Sequence, residues 1–314
     1  MERPRISVVG LGKSYGPLAA LTNVNLKVGA GTVLGVLGHN GAGKTTLIDI
    51  LATRTLPTSG SASVCGWDVV RYGDKVRRCI GMSSQFTSVD ETMSGRANLI
   101  LVARLLGATA KQAAARADEL LAVFGLTEAA KRKPATYSGG MRRRLDLAAG
   151  MLGRPEVLFL DEPSTGLDPV SRSELWTFIE RLAREGTSVV LTTQYLEEAD
   201  RLADELVVLA GGHVVAKGTP AALKAKVGSR SAKVTFVDVP TTRNAAGALA
   251  YAGIHAQPEE AFCAIVVPVA AGHHITGLVR ALDKWGIAPT DLTVTEPTLD
   301  DVYLALHRAA RSQS

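Results

Sequence analysis

The segment Gly38-His39-Asn40-Gly41-Ala42-Gly43-Lys44-Thr45 fits the pattern G-x-x-x-x-G-K-[ST] at every fixed position. It follows the apolar run Val33-Leu34-Gly35-Val36-Leu37 and leads into Thr46-Leu47-Ile48-Asp49-Ile50-Leu51, which reads as a helix. A strand, a glycine-rich loop and a helix in that order form a phosphate-binding loop. The glycines let the backbone wrap a triphosphate closely. Successive N–H groups and the N-terminus of the following helix then point at the anion. In this reading Gly38 to Thr46 bind the nucleotide, Lys44 reaches its β- and γ-phosphates, and Thr45 ligates Mg²⁺.

A chain of 314 residues has room for one large domain and a small one, or for two domains. Hydrophobic residues make up 46% and aromatics only 5%, so the core is aliphatic. The net charge of +5 is mild, and a nucleotide ligand or a membrane surface accounts for it as well as a polyanion does. The odd count of three cysteines, with no C-x-x-C pair, points to reduced thiols in the cytosol rather than to disulfides or a metal site. Met1-Glu2-Arg3-Pro4 lacks the apolar core of a signal peptide. The most apolar segment, Phe262 to Ala271, is shorter than the roughly 20 residues a bilayer span needs. The expectation is a soluble chain whose membrane role, if any, runs through a partner.

The chain begins with β patterning at Ile6–Val9 and Val24–Val28, around a turn-rich stretch from Gly12 to Pro17. A further strand-rich patch runs from Gly60 to Val70. From about Gly95 to Ala130 the period becomes helical, which marks a helical insert spanning about 87–150. Strands and helices then alternate through Val157–Leu160, Ser171–Arg184, Ser188–Leu191, Leu196–Ala203 and Leu206–Leu209, as in a mostly parallel sheet covered on both faces. A helix opened by Thr219-Pro220 ends near Gly228, where Gly228 to Ser231 reads as a linker. The division expected is 1–228 and 229–314. The tail reads as a small α+β domain with a β-α-β-β-α-β order, ferredoxin-like in outline, followed by a helix from Leu299.

Two further motifs carry chemistry. Val157-Leu158-Phe159-Leu160-Asp161-Glu162 is a buried strand with carboxylates emerging at its C-terminal end, where ligands sit in open α/β sheets. Asp161 is placed to hold Mg²⁺, directly or through water, and Glu162 to polarise the attacking water as general base. Tyr137-Ser138-Gly139-Gly140-Met141 precedes the basic run Arg142-Arg143-Arg144. Ser138 offers a hydroxyl, the glycines expose N–H groups, and a helix N-terminus favours anions. No aromatic residues interleave with the arginines, so the run reads as a solvated or phosphate-proximal helix face rather than a nucleic-acid groove.

Phosphate loop, Ser-Gly-Gly motif and acidic strand, in that order, resemble the ATP-binding subunit of ABC transporters over about Ile6 to Val227. The resemblance implies a P-loop ABC ATPase fold with a helical subdomain, ATP and Mg²⁺ as cofactors, and ATP hydrolysis coupled to transport. It implies a homodimer in which two ATPs are sandwiched between the phosphate loop of one copy and Ser138-Gly139-Gly140 of the other. Around this motif the family's flanking Leu and Gln are replaced by Tyr137 and Met141. Gln85 matches the glutamine that senses Mg²⁺, Tyr15 the aromatic stacked on adenine, and Leu167-Asp168 the loop that crosses the dimer interface. A separate polytopic membrane permease would be the partner, holding the chain at the cytoplasmic face of the cell membrane.

One position departs. After Thr192-Thr193 the family places a histidine against the γ-phosphate, and this chain has Gln194. Glutamine can hydrogen-bond a phosphate but cannot become a cation. The stretch from Thr192 to Asp200, the Tyr-Ser-Gly-Gly-Met variant, and the tail Glu296-Pro297-Thr298-Leu299-Asp300-Asp301-Val302-Tyr303-Leu304 resemble the daunorubicin-resistance group of drug exporters. Rival readings keep the same residues: a lipid or polysaccharide exporter, an importer, or a soluble factor of this ATPase class. The last usually joins two units or carries a long coiled coil. This chain has one phosphate loop and no long heptad run.

The Gln194 position makes a direct test. Gln194→Ala is expected to lower turnover more than ATP affinity, and Gln194→His to be tolerated, in paired ATPase and nucleotide-binding assays. Equal turnover of wild type and Gln194→Ala would remove Gln194 from the site.

Overall fold

The structure is a computed structural model that describes residues 4–83, 89–227, 230–269 and 272–311. It divides into two compact units, residues 1–220 and 221–314. The first runs β1 (Ile6–Tyr15), β2 (Leu18–Val28), β3 (Val33–Leu37), α1 (Lys44–Leu51), β4 (Ser59–Val64), β5 (Trp67–Asp68), α2 (Gly73–Cys79) and β6 (Ile80–Ser83). It continues with α3 (Gly95–Leu105), α4 (Ala110–Val123), α5 (Gly139–Gly150), β7 (Val157–Asp161), α6 (Pro169–Arg184), β8 (Ser188–Thr193), α7 (Leu196–Leu202), β9 (Glu205–Ala210) and β10 (His213–Gly218).

The central sheet has the order β10-β9-β3-β8-β7-β6, parallel throughout except for the antiparallel edge strand β10. Parallel strands covered on both faces read as continuous apolar runs rather than alternating ones. β3, β7 and β8 are buried at every residue. Successive side chains still point to opposite faces. Leu158 and Leu160 join one core, with α3 to α6, while Val157 and Phe159 join another, with α1 and the β1–β2 hairpin. Register then brings the functional ends together: Leu37 pairs with Thr193, and Asp161 with Thr192. The loop after β3 and the carboxylates after β7 therefore emerge at one edge.

The second sheet, β2-β1-β4-β5, is antiparallel. Its hairpin is longer than the turn-rich sequence from Gly12 to Pro17 suggests. Only Gly16 and Pro17 turn, and β1 runs on to Tyr15 through three register shifts against β2. Pairing to strands on both sides overrides the local turn preference. α2, β6 and β10 are also beyond the pattern reading: β6 is four residues with a glycine, and β10 is a half-exposed edge strand.

α4 starts where its sequence dictates, with Thr109 and Gln112 forming a reciprocal capping box. α5 is capped by Ser138, whose hydroxyl accepts from Met141 N, and α6 by Asp168, with Pro169 at its first position.

The second unit contains α8 (Pro220–Val227), β11 (Ser231–Thr235), α9 (Val239–Tyr251), β12 (Gln257–Glu259), β13 (Ala264–Pro268), α10 (Gly272–Lys284), β14 (Asp291–Thr295) and α11 (Leu299–Arg311). Its sheet order is β12-β13-β11-β14, all antiparallel. That is the β-α-β-β-α-β arrangement, with Val234, Ile265, Leu249 and Leu278 in its core.

α7 carries a buried acid that meets α6. Glu198 is fully buried, and its Oε1 accepts from Trp176 Nε1 at 3.0 Å. Burial pushes its carboxyl above the usual carboxylate range, against the hydrogen bond from Trp176 and the charge of Arg143. The folded protein thus holds this proton to higher pH than the unfolded chain does. The contribution is fully present below the unfolded value of about 4.3 and is lost as pH rises through the folded one. Glu198→Gln keeps the acceptor and removes the charge. It is expected to melt at or above the wild-type temperature near neutral pH and to lose that advantage in acid. A variant weaker than wild type by about 1 kcal/mol at neutral pH would show that the fold does not disfavour the charged carboxylate.

Candidate nucleotide site

The loop between β3 and α1 folds around the lysine it carries. Lys44 is buried, and its Nζ donates to Gly38 O at 2.7 Å and His39 O at 3.3 Å. Gly43 has φ +103°, and a Cβ there would stand 2.5 Å from Ala20 O, so no other residue fits. Gly38 and buried Ala42 sit behind the loop, while His39, Asn40, Gly41, Gly43, Lys44, Thr45 and Thr46 line a cleft of about 690 Å³. Tyr15, Leu18, Ala19 and Ala20 of the β1–β2 hairpin form another wall. Tyr15 is half-exposed with Lys13 Nζ 4.8 Å from its ring centre, so a flat ring face stands at the mouth.

Opposite the loop stands the end of β7. Asp161 is buried and accepts from Thr45 Oγ1 at 3.0 Å and from the Thr192 hydroxyl. A carboxylate beside a hydroxyl at the start of a helix is a pair of hard oxygen donors, the kind Mg²⁺ takes. Glu162 lines the same cleft, with Oε1 3.5 Å from Lys44 Nζ. Its backbone is unusual: φ is +47° and the next residue is Pro163. A left-handed non-glycine residue costs on the order of 1–3 kcal/mol and persists only where neighbours over-determine it. Glu162 N donates to Thr192 O at 3.1 Å and to Thr192 Oγ1 at 3.0 Å.

The Ser-Gly-Gly motif lies apart from this cleft. Ser138, Gly139 and Gly140 open α5, and none of them lines the cavity around Lys44. The Ser138 oxygen accepts from Met141 N at 3.2 Å, which leaves its O–H to donate elsewhere. Gly140 is needed for packing, since a Cβ there would come 2.5 Å from Ser171 Oγ on α6. Gly139 instead lines a smaller hollow with Glu162, Thr165, Gly166 and Leu167. Tyr137 is a core residue whose hydroxyl donates to Ala129 O at 2.7 Å. That explains how it stands where the family has leucine.

Gln194 is exposed just past β8 and does not line the cleft. Gln85 lies outside the described residues. The arginine run is not one face: Arg142 pairs with Glu91, Arg144 with Glu174, and Arg143 turns into the protein against Asp146. Four wall residues escaped the pattern reading. Leu18, Ala19 and Ala20 carry no chemical signal, and Gly211 is a turn after β9 whose position follows only from β9 pairing beside β3.

Among the described residues no helix is long and apolar enough to cross a membrane. The ABC transporter family pattern matches residues 21–165. The daunorubicin resistance ATP-binding protein DrrA3 of Streptomyces coeruleorubidus is 46% identical over 307 residues, covering 98% of this chain and 96% of that one. The doxorubicin resistance ATP-binding protein DrrA of Mycobacterium tuberculosis is 41% identical over 307 residues, covering 96% and 93%. Among solved structures, an ATP-binding subunit of an ABC transporter superposes with a TM-score of 0.64 at 28% identity, covering 70% of this chain and 92% of that one. With its phosphate loop, acidic strand and capped Ser-Gly-Gly helix in that fold, the chain belongs to the ABC transporter family as an ATP-binding subunit, an ATPase closely related to the daunorubicin and doxorubicin resistance group.

Proposed function

We propose that this chain hydrolyses ATP to drive drug efflux through a separate polytopic permease. It works as a homodimer at the cytoplasmic face of a membrane. The observation that carries the reading is the split site. Lys44 and Glu162 share one cleft, while Ser138 to Gly140 sit on a separate helix N-terminus. A second copy related by two-fold symmetry supplies the missing wall to each cleft, and such an interface is isologous.

Each part then has a task. Loop N–H groups and Lys44 bind the phosphates, Tyr15 offers a face to the base, and Thr45 and Asp161 would hold Mg²⁺. The bound ion would offset charge on the β- and γ-phosphates. Glu162 accepts the proton of the attacking water. Ser138, Gly139 and Gly140 of the partner copy close over the γ-phosphate, so its loss removes the contacts that hold the two copies together. Residues 1–228 form the ATPase domain with its helical insert at about 87–150, and residues 229–314 an accessory domain. Drugs are the cargo favoured because the drug-resistance relatives align over nearly the whole chain, tail included.

The test is a pull-down from native membranes with Glu162→Gln and Mg-ATP, which should trap the closed dimer. Recovery of a polytopic membrane protein supports the transporter reading, and loss of resistance on deleting that partner supports the drug cargo. Recovery of soluble partners alone would overturn both.

A further inference from the structure

Glu162 is strained and held from two sides. Thr192 grips its N–H from β8. On the other side stands Arg143, which projects inward from the second turn of α5. Its Nε donates to Pro163 O at 2.9 Å, and a terminal N–H of the same guanidinium donates to Asp161 O at 3.4 Å. One planar group thus holds the carbonyls on both sides of Glu162. The geometry suits arginine, whose donors form a fixed fork; lysine has only a point charge.

The arginine is itself fixed. Its side chain is 11% exposed, and Asp146, fully buried, lies 3.4 Å away. Asp146 also accepts from Ser83 Oγ at the end of β6. β6, α5 and the β7 exit therefore meet at one buried ion pair. Arg143 and Glu162 also line the same small hollow with Gly139.

We propose that Arg143 is a positioning residue for Glu162. It locks the strained Asp161–Pro163 backbone to α5, so that the carboxylate faces the phosphate loop only while α5 is seated. The inference rests on Glu162 being the general base.

The experiment uses the full chain and reads single-turnover ATP hydrolysis, ADP affinity and thermal melting. Arg143→Met is expected to slow hydrolysis about tenfold to a hundredfold, the scale of a small misplacement of a reacting group. ADP affinity should stay within about twofold. Arg143→Lys should fall between. Because Arg143→Met strands a buried Asp146 charge, the pair Arg143→Met with Asp146→Asn is the decisive variant. It should regain wild-type melting without regaining rate. In a Glu162→Gln background, Arg143→Met should change the residual rate by less than about twofold. Recovery of both stability and rate in the paired variant would reduce Arg143 to a counter-charge for Asp146 and overturn the proposal. So would an undiminished effect in the Glu162→Gln background. A wild-type rate for Glu162→Gln alone would instead overturn the general-base assignment.

Discussion

Asp161 is where the nucleotide site is assembled. Its two carboxylate oxygens accept hydroxyls from Thr45, at the start of α1, and Thr192, near the end of β8. A buried carboxylate is tolerated only when its oxygens are satisfied, so these bonds are conditions of folding as much as features of the site. They fix the loop to the strand that carries Glu162. Thr192 does this twice, since its hydroxyl also accepts from Glu162 N. One threonine thereby sets both the Asp161 carboxylate and the backbone of the residue that follows.

Charge at the site follows from this arrangement. Lys44 is buried among carbonyls of its own loop and stands 3.5 Å from Glu162. In a partly buried cleft such a pair is screened less than it would be on the surface. A triphosphate entering the cleft competes with Glu162 for Lys44. On the proposed reading, binding of the substrate would free the Glu162 carboxylate to act as the base, with the same lysine serving both states.

Much of this was legible in the sequence because it is encoded locally. The phosphate loop, the four apolar residues before Asp161, the helix start at the Ser-Gly-Gly motif and the Thr219-Pro220 helix start each need only neighbouring residues to be read. What was not legible depends on pairing. Tyr15 was named by resemblance alone, and it reaches the cleft because β1 stays paired with β2 beyond its glycines, which the local turn signals hide. β6 is too short and too glycine-containing to stand out, and it exists because β7 pairs with it. The arginine run was the least readable. Consecutive residues on a helix are about 100° apart, so three adjacent cations point in three directions and only one of them turns inward. Composition reports their charge but not their direction.

That inward arginine changes how a dimer of this chain would communicate. In an isologous pair, the N-terminus of α5 serves the neighbour's phosphates while Arg143, less than two turns on, steadies the chain's own Glu162. The same rigid helix then touches both sites. On the proposed reading, a γ-phosphate bound in one cleft would pull on α5 of the other copy, and that pull would reach Glu162 of the second cleft through the two carbonyls that Arg143 holds. Such coupling would need no hinge or long path, because in that dimer one rigid helix would meet one nucleotide and hold the backbone of Glu162 beside the other.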